Sequence, residues 1–438
     1  MKPFNKNTIH QFGFVRAKLD LITAEVQLNY RLDQFEVQER IVFPQPIPEL
    51  SAIRKEAVDR VLKLLHFVAG VSYYKAALPT EICFDEGAPS PSWAQFLHKV
   101  YRHGLGEFAH VNQLELDGLC QFSASNVEYS PLDDLQSKDR VLTPIGGGKD
   151  SLVTIEALRE AGVEQSLIQL GNAELIKNVI RATGLPSLRI SRTIDPQLIQ
   201  WNKEGAWNGH VPITAILSII MVLAALLYDF KAVVMSNEAS ASSANLVNDK
   251  GEEVNHQYSK SWEFEQDLNA ILIQAIGPGV QYFSALRNLS EISILEKFSQ
   301  YPQYFHEFSS CNRNFHIGGA KIEGRWCGDC PKCRFIFLCL APFVSKVELL
   351  NIFGKNMLDD LTQLEGFAEL AGLSGHKPFE CVGEVEESRA ALFALLEHHE
   401  WKQSPVISAL TAQLNQHDFI DLQKLLLTSG SVRRDANA

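Results

Sequence analysis

Three glycines followed by a lysine, an acid and a hydroxyl, Gly146-Gly147-Gly148-Lys149-Asp150-Ser151, are the residues of this chain best placed to do chemistry. An apolar run of strand character, Val141 to Ile145, precedes them, and an amphipathic helical pattern runs from Leu152 to Leu158. Glycine lets the backbone pass close to a ligand and adopt positive φ. The free amides at a helix N-terminus then form a nest for an anion. The order strand, glycines, helix predicts a phosphate cradle at the C-terminal end of a strand, where open α/β sheets bind ligands. In that cradle Lys149 offsets charge on the β- and γ-phosphates. Asp150 holds Mg²⁺ directly or through water, because Mg²⁺ prefers carboxylate and phosphate oxygens, or it caps the helix.

A Walker A loop requires Gly-Lys followed directly by Ser or Thr, but Asp150 follows Lys149 here. A dinucleotide fingerprint requires a third glycine where Ser151 stands. The string resembles the S-G-G-x-D-S loop of the PP-loop ATP pyrophosphatases, with Gly146 in place of the first serine. That resemblance implies cleavage of ATP between the α- and β-phosphates. The plain alternative is a glycine-rich turn with no ligand.

Cysteines form the second constellation. Cys327, Cys330 and Cys333 make a C-x2-C-x2-C cluster with Cys311 upstream. Four thiolates suit a closed tetrahedral zinc site, which would pin the C-terminal lobe to the nucleotide domain. An iron–sulfur cluster or free packing thiols are the alternatives. A third group is the loop Asn202 to His210, which contains two glycines and a tryptophan and is placed to close over a substrate. His210, His256 and His376 are candidates for proton transfer, and His376 and Cys381 share the unusual segment His376 to Gly383.

The elements that must position these groups alternate. Strand patterns lie at 140–145, 165–170, 187–191, 231–236 and 280–285, with helical runs at 151–162, 173–183, 211–228 and 260–275. This alternation predicts a doubly wound parallel α/β sheet with right-handed crossovers. Its strand ends bring together Gly146 to Ser151, Gly171-Asn172, Ser191-Arg192 and Ser236-Asn237-Glu238. Before it, strands at 14–21, 24–30 and 36–43 and a helix at 53–68 predict an N-terminal α+β domain. The expected division is 1–135, then a nucleotide domain with the cysteine cluster at 136–345, then a helical region at 346–438.

The chain has 438 residues, 46% hydrophobic and 21% charged, which suits a globular enzyme of two or three domains. Its net charge of −12 argues against a protein built to grip nucleic acid, since neutralising phosphates needs basic surface. The one long apolar stretch, Val211 to Tyr228, is of ambiguous length for a membrane span and is expected to pack on the sheet. Met1 to Phe14 shows no signal-peptide pattern. A cytoplasmic protein without membrane contact is expected.

Leu65 to Lys75, Gly146 to Ser151, Ser236 to Ser240, Arg325 to Phe335 and His376 to Gly383 together resemble the UDP-N-acetylmuramoyl-L-alanyl-L-glutamate epimerase family over nearly the whole chain. The resemblance implies inversion of the terminal L-glutamate of a UDP-linked muramoyl dipeptide, with ATP consumed, Mg²⁺ as cofactor, and AMP and diphosphate released. It also implies a functional link to a muramoyl ligase that adds L-glutamate. The chemistry agrees with the loop: an ionised carboxylate leaves the neighbouring Cα–H very weakly acidic, whereas an acyl-adenylate acidifies it. Catalytic roles then fall to Lys149 and Asp150, with His376, Cys381 and His256 as bases. Gly146, Gly147, Gly148, Lys149, Asp150, Ser151, Gly171, Ser236 and Asn237 bind the nucleotide. Asp150 and the four cysteines take the metals. Another PP-loop enzyme, acting on a nucleobase or tRNA, and an ATP-binding cell-wall scaffold are the competing readings.

Overall fold

A computed structural model describes residues 3–242, 246–247, 253–255, 257–314, 322, 324–375, 382–415, 418 and 420–433. His256, His376 and Cys381 lie outside the described residues.

The first strands are β1 (Gln11–Asp20), β2 (Glu25–Leu32) and β3 (Phe35–Val42). Their side chains alternate as a half-buried sheet requires. In β2, Val26, Leu28, Tyr30 and Leu32 are buried and the intervening polar residues are half-buried. The three form an antiparallel meander. A short strand absent from the sequence reading, β4 (Glu81–Phe84), pairs parallel with β1. The parallel strands follow: β5 (Val141–Pro144), β6 (Gln165–Leu170), β7 (Ser187–Thr193), β8 (Ala232–Met235) and, after a small ribbon of β9 (Leu246–Val247) and β10 (Glu253–Val254), β11 (Gln281–Ser284).

One sheet joins both groups. Its order is β11-β8-β5-β6-β7-β3-β2-β1-β4. The joint is antiparallel, Arg40 to Val42 of β3 against Ser191 to Thr193 of β7. Across it Arg192 donates to both Glu39 oxygens, at 2.7 and 3.0 Å, and both side chains are buried. The result is a mixed α/β sheet, mostly parallel. Along its parallel part the strand order reverses between β5 and β8, where a crevice opens at the carboxyl edge.

Alternating strand residues feed two cores. Leu142, Ile168 and Val233 join one; Val141, Leu167, Ala232 and Val234 join the other. The first core is closed by helix Ile213–Tyr228 beneath helix Ala52–Ala69. Helix Ile213–Tyr228 is apolar almost all round because it has sheet on one side and helix on the other. No helix among the described residues is long and apolar enough to cross a membrane. The second core takes helices Lys149–Glu160, Glu291–Phe298 and Pro331–Leu340 and the helical C-terminal region.

Candidate active site

The five parallel strands all end at one edge. β5 runs into the loop 145–148, and helix Lys149–Glu160 starts directly after it, with Gly148 as N-cap and no side chain capping it. Its first amides therefore point into the crevice with their partial positive charge. Gly147 has φ +82°, and a Cβ there would come within 3.0 Å of Leu175. A Cβ on Gly146 would meet nothing, so the loop faces open space on that side.

Ser236 and Asn237 follow β8 on the other side of the reversal, and Gly171 follows β6. The buried Ser236 hydroxyl has no hydrogen-bond partner among the described residues. The same is true of Ser310, whose Oγ would lie 3.1 Å from a Cβ on Gly148. A loop of free amides with two unpartnered hydroxyls beside it suits a polyphosphate chain. Asn237 is buried, and its carbonyl accepts from Ser284 Oγ at 2.6 Å. Ser191-Arg192 is not part of this group, because Arg192 is committed to Glu39.

Lys149 and Asp150 are placed differently from the reading above. The helix cap is Gly148, not Asp150. Lys149 is fully buried, and its ammonium pairs with Asp150 and with Glu291. Glu291 in turn accepts from Lys332 at 3.1 Å. Burial opposes the charge on Lys149, but Asp150 and Glu291 outweigh it and hold the ammonium above its ordinary range. Burial likewise raises Glu291, and Lys149 and Lys332 overcome it, holding the carboxyl below the usual range. Asp150, partly exposed, is the member of this chain that reaches solvent. Ser151 donates to Gly148 O at 3.0 Å. Neither Glu291 nor Lys332 nor Ser310 was singled out from sequence. Ser310, adjacent to Cys311, and Lys332, between Cys330 and Cys333, each had the cysteine motif beside them; Glu291 had none.

Cys311, Cys327, Cys330 and Cys333 come together, with all four sulfurs within 4.8 Å of one another. Cys333 lies 3.5 Å from Cys330 and 3.7 Å from Cys327. Four sulfurs at about 2.3 Å from one tetrahedral ion stand roughly 3.8 Å apart, so the cluster is able to hold a metal. Neighbouring thiols, Cys330 foremost, favour the Cys311 thiolate and push it well below the ordinary thiol range. The cluster is tied to the glycine loop: Ser309 N–H donates to Gly147 O at 3.0 Å, and Cys311 N–H to Ser309 Oγ at 3.1 Å. Helix Pro331–Leu340 supplies both Cys333 and Lys332.

A second polar group lies on the other face of the sheet. Loop 204–212 leads into helix Ile213–Tyr228, which returns to the start of β8, so the loop sits at the carboxyl edge. His210 Nδ1 is 3.3 Å from Glu107.

A family described as MurL N-terminal domain matches residues 3–285, and one described as MurL C-terminal domain matches 307–424. A chain from Xanthomonas oryzae pv. oryzae named UDP-N-acetyl-alpha-D-muramoyl-L-alanyl-L-glutamate epimerase is 44% identical over 438 residues, 99% of this chain and 97% of that one. The chain belongs to the UDP-N-acetyl-alpha-D-muramoyl-L-alanyl-L-glutamate epimerase family. Relatives of the same name from a Micromonospora species and Salinispora tropica are 44% and 43% identical, over 91% of this chain in each case and 90% and 88% of theirs. In this member of the epimerase family, Glu291 falls between the two matched regions and binds a lysine from each, Lys149 and Lys332.

Proposed function

We propose that the chain inverts the terminal L-glutamate of UDP-N-acetylmuramoyl-L-alanyl-L-glutamate to D-glutamate in peptidoglycan precursor synthesis. ATP is the co-substrate and leaves as AMP and diphosphate. The observation that carries the ATP reading is the uncapped glycine loop and helix N-terminus beside the strand-order reversal, flanked by the unpartnered Ser236 and Ser310 hydroxyls. The five parallel strands are, on this reading, a doubly wound PP-loop sheet.

Loop amides 146–151 and the two hydroxyls bind the phosphates, where preorganised donors stabilise charge as it develops. Lys149 acts from beneath: pinned by Glu291, it holds Asp150 at the loop, and Asp150 takes the Mg²⁺ that accompanies the phosphates. Gly171 and Asn237 border the nucleotide. ATP activates the glutamate carboxylate, which acidifies the adjacent Cα–H. Proton transfer falls to His376, Cys381 or His256, with His210 as the candidate among the described residues. Zinc in the four-cysteine site keeps Ser309 and Ser310 against the loop. The enzyme works in the cytoplasm, downstream of a ligase that adds L-glutamate.

Incubation with ATP, Mg²⁺ and the L,L-precursor, followed by chiral analysis, should yield D-glutamate with AMP and diphosphate. In D₂O the α-position should gain deuterium only when ATP is present. Asp150→Ala should slow the reaction roughly 10²-fold in protein that still folds, and with a lower melting temperature because Lys149 keeps only Glu291. Release of ADP and phosphate would overturn the reading.

A further inference from the structure

Three lysines among the described residues are buried: Lys75, Lys149 and Lys332. Two of them share Glu291. The buried arginines are also paired, Arg54 with Asp229, and Arg287 and Arg433 with Glu265. Lys75 differs. It is 4% exposed, and among the described residues its ammonium donates only to neutral oxygens, Asn208 Oδ1 at 3.2 Å and Trp207 O at 3.4 Å. The Phe108 ring lies 6.0 Å away. Two amide oxygens do not replace a counter-ion, and an ammonium taken from water without one is strongly disfavoured.

What covers Lys75 is thin. Asn208 and Gly209 are exposed, so the loop that buries the ammonium has solvent on its other side. The loop is seated rather than loose: Trp207 N–H donates to Ala76 O at 3.0 Å, and Asn112 Nδ2 donates to Asn208 O at 3.1 Å. A second cation meets it, with Lys6 Nζ 3.4 Å from the Trp207 ring centre. The loop ends at helix Ile213–Tyr228, which has no side-chain cap and packs over β5 and β8. Its first amides thus add positive potential at the same edge of the sheet as the glycine loop.

We propose that Lys75 is the counter-charge for an anionic group of the substrate, a carboxylate or a phosphate, admitted when the loop around Trp207 and Asn208 moves aside. This rests on the epimerase reading above and deepens it. The nucleotide phosphates are held from the Gly146–Ser151 side, and the muramoyl dipeptide from the opposite face of the sheet. A carboxylate would come from the glutamate, a phosphate from the UDP.

The test is equilibrium binding of the intact UDP-linked dipeptide to the full chain without ATP, so that it does not depend on catalysis. Lys75→Met should weaken binding roughly 10²-fold and Lys75→Arg by much less. Lys75→Met should also melt at the same temperature as the parent or higher, because it removes a buried charge that lacks a partner. A structural lysine would give the opposite shift. Competition by UDP and by N-acetyl-L-alanyl-L-glutamate separates the sources: whichever loses affinity in Lys75→Met carries the anion. Unchanged binding of all three ligands would overturn the proposal. A wild type that binds the dipeptide but yields no D-glutamate with ATP would instead overturn the epimerase reading and leave this site standing.

Discussion

On the face of the sheet covered by helix Ile213–Tyr228, the core is aromatic: Phe12, Phe14, Tyr30, Phe67, Tyr73 and Tyr74 are buried and packed ring against ring. On the opposite face, the core encloses a carboxylate between two ammonium groups and four clustered thiols. The first core is held by area removed from water, a force without direction. The second adds directional contacts, two of which reach the glycine loop or its helix: Glu291 on Lys149, and Ser309 N–H on Gly147 O. Position matters more in the second core than in the first. Burial alone suffices to place a scaffold, whereas the loop that must meet a nucleotide is braced by groups that tolerate little displacement.

If that contrast is right, breaking the second core at its metal ligands has the largest effect. Cys333→Ser should abolish binding of one metal ion per chain. Helix Pro331–Leu340 should then lose protection in hydrogen exchange while helix Ala52–Ala69 keeps its own, since metal binding in such a site is folding energy. Full protection in a metal-free variant would break the comparison. Next comes Lys149→Met, which leaves Glu291 with one ammonium. It should destabilise the chain in a denaturant titration, and Lys149→Met combined with Glu291→Met should cost less than the two single changes summed, by about 0.5–3 kcal/mol, with part of the loss remaining because Lys332 also loses Glu291. An additive double variant would mean that the pair is not coupled.

The smallest effect sharpens the contrast by sign. Burial pushes His66, in the first core, down to about 4 from an ordinary 6.5. The folded state prefers neutral His66, so this contribution is present above pH 6.5 and lost as pH falls towards 4. Burial raises Glu387, in the second core, to about 7 from an ordinary 4.5, against two backbone donors at Ile292 and Glu384. The folded state prefers its protonated form, so this contribution is present below pH 4.5 and lost as pH rises through 7. Each is worth about 3 kcal/mol at full swing. Between pH 4.5 and 6.5 the two oppose each other. Glu387→Gln should leave a protein that gains stability with rising pH across that window, and His66→Gln one that loses it. Melts at half-unit pH steps would show parallel curves if the idea is wrong.

Much of the architecture was legible in sequence. The strand patterns at 14–21, 24–30 and 36–43 fall on β1 to β3, and the alternation of apolar runs with helical patterns places all five parallel strands within a few residues. Local pattern carries that information because each strand or helix face is encoded by near neighbours. The joint between β3 and β7 was not legible, since pairing partners so far apart leave no local trace. Glu39 reads as an ordinary exposed acid until Arg192 is found beside it. The same limit hid Glu291, which stands behind an unremarkable serine cap with no motif around it, and so turned Lys149 from a free phosphate ligand into a buried brace. The glycine loop and the four cysteines were found because each is a short string with its chemistry in its own spacing. Lys75 lay within a segment noted for its resemblance, but nothing in the string marked it as buried without a counter-ion.

The Glu39–Arg192 clasp also bears on how the chain is made. β3 leaves the ribosome long before β7, and at roughly 5–20 residues per second its outer edge stays open for on the order of ten seconds. An open edge invites pairing with a neighbouring nascent chain. Glu39 sits on that edge as an inward-facing carboxylate with no cation yet beside it, so a stranger that docks there must bury a bare charge. The latch that later closes the sheet serves, while half of it is missing, as a guard.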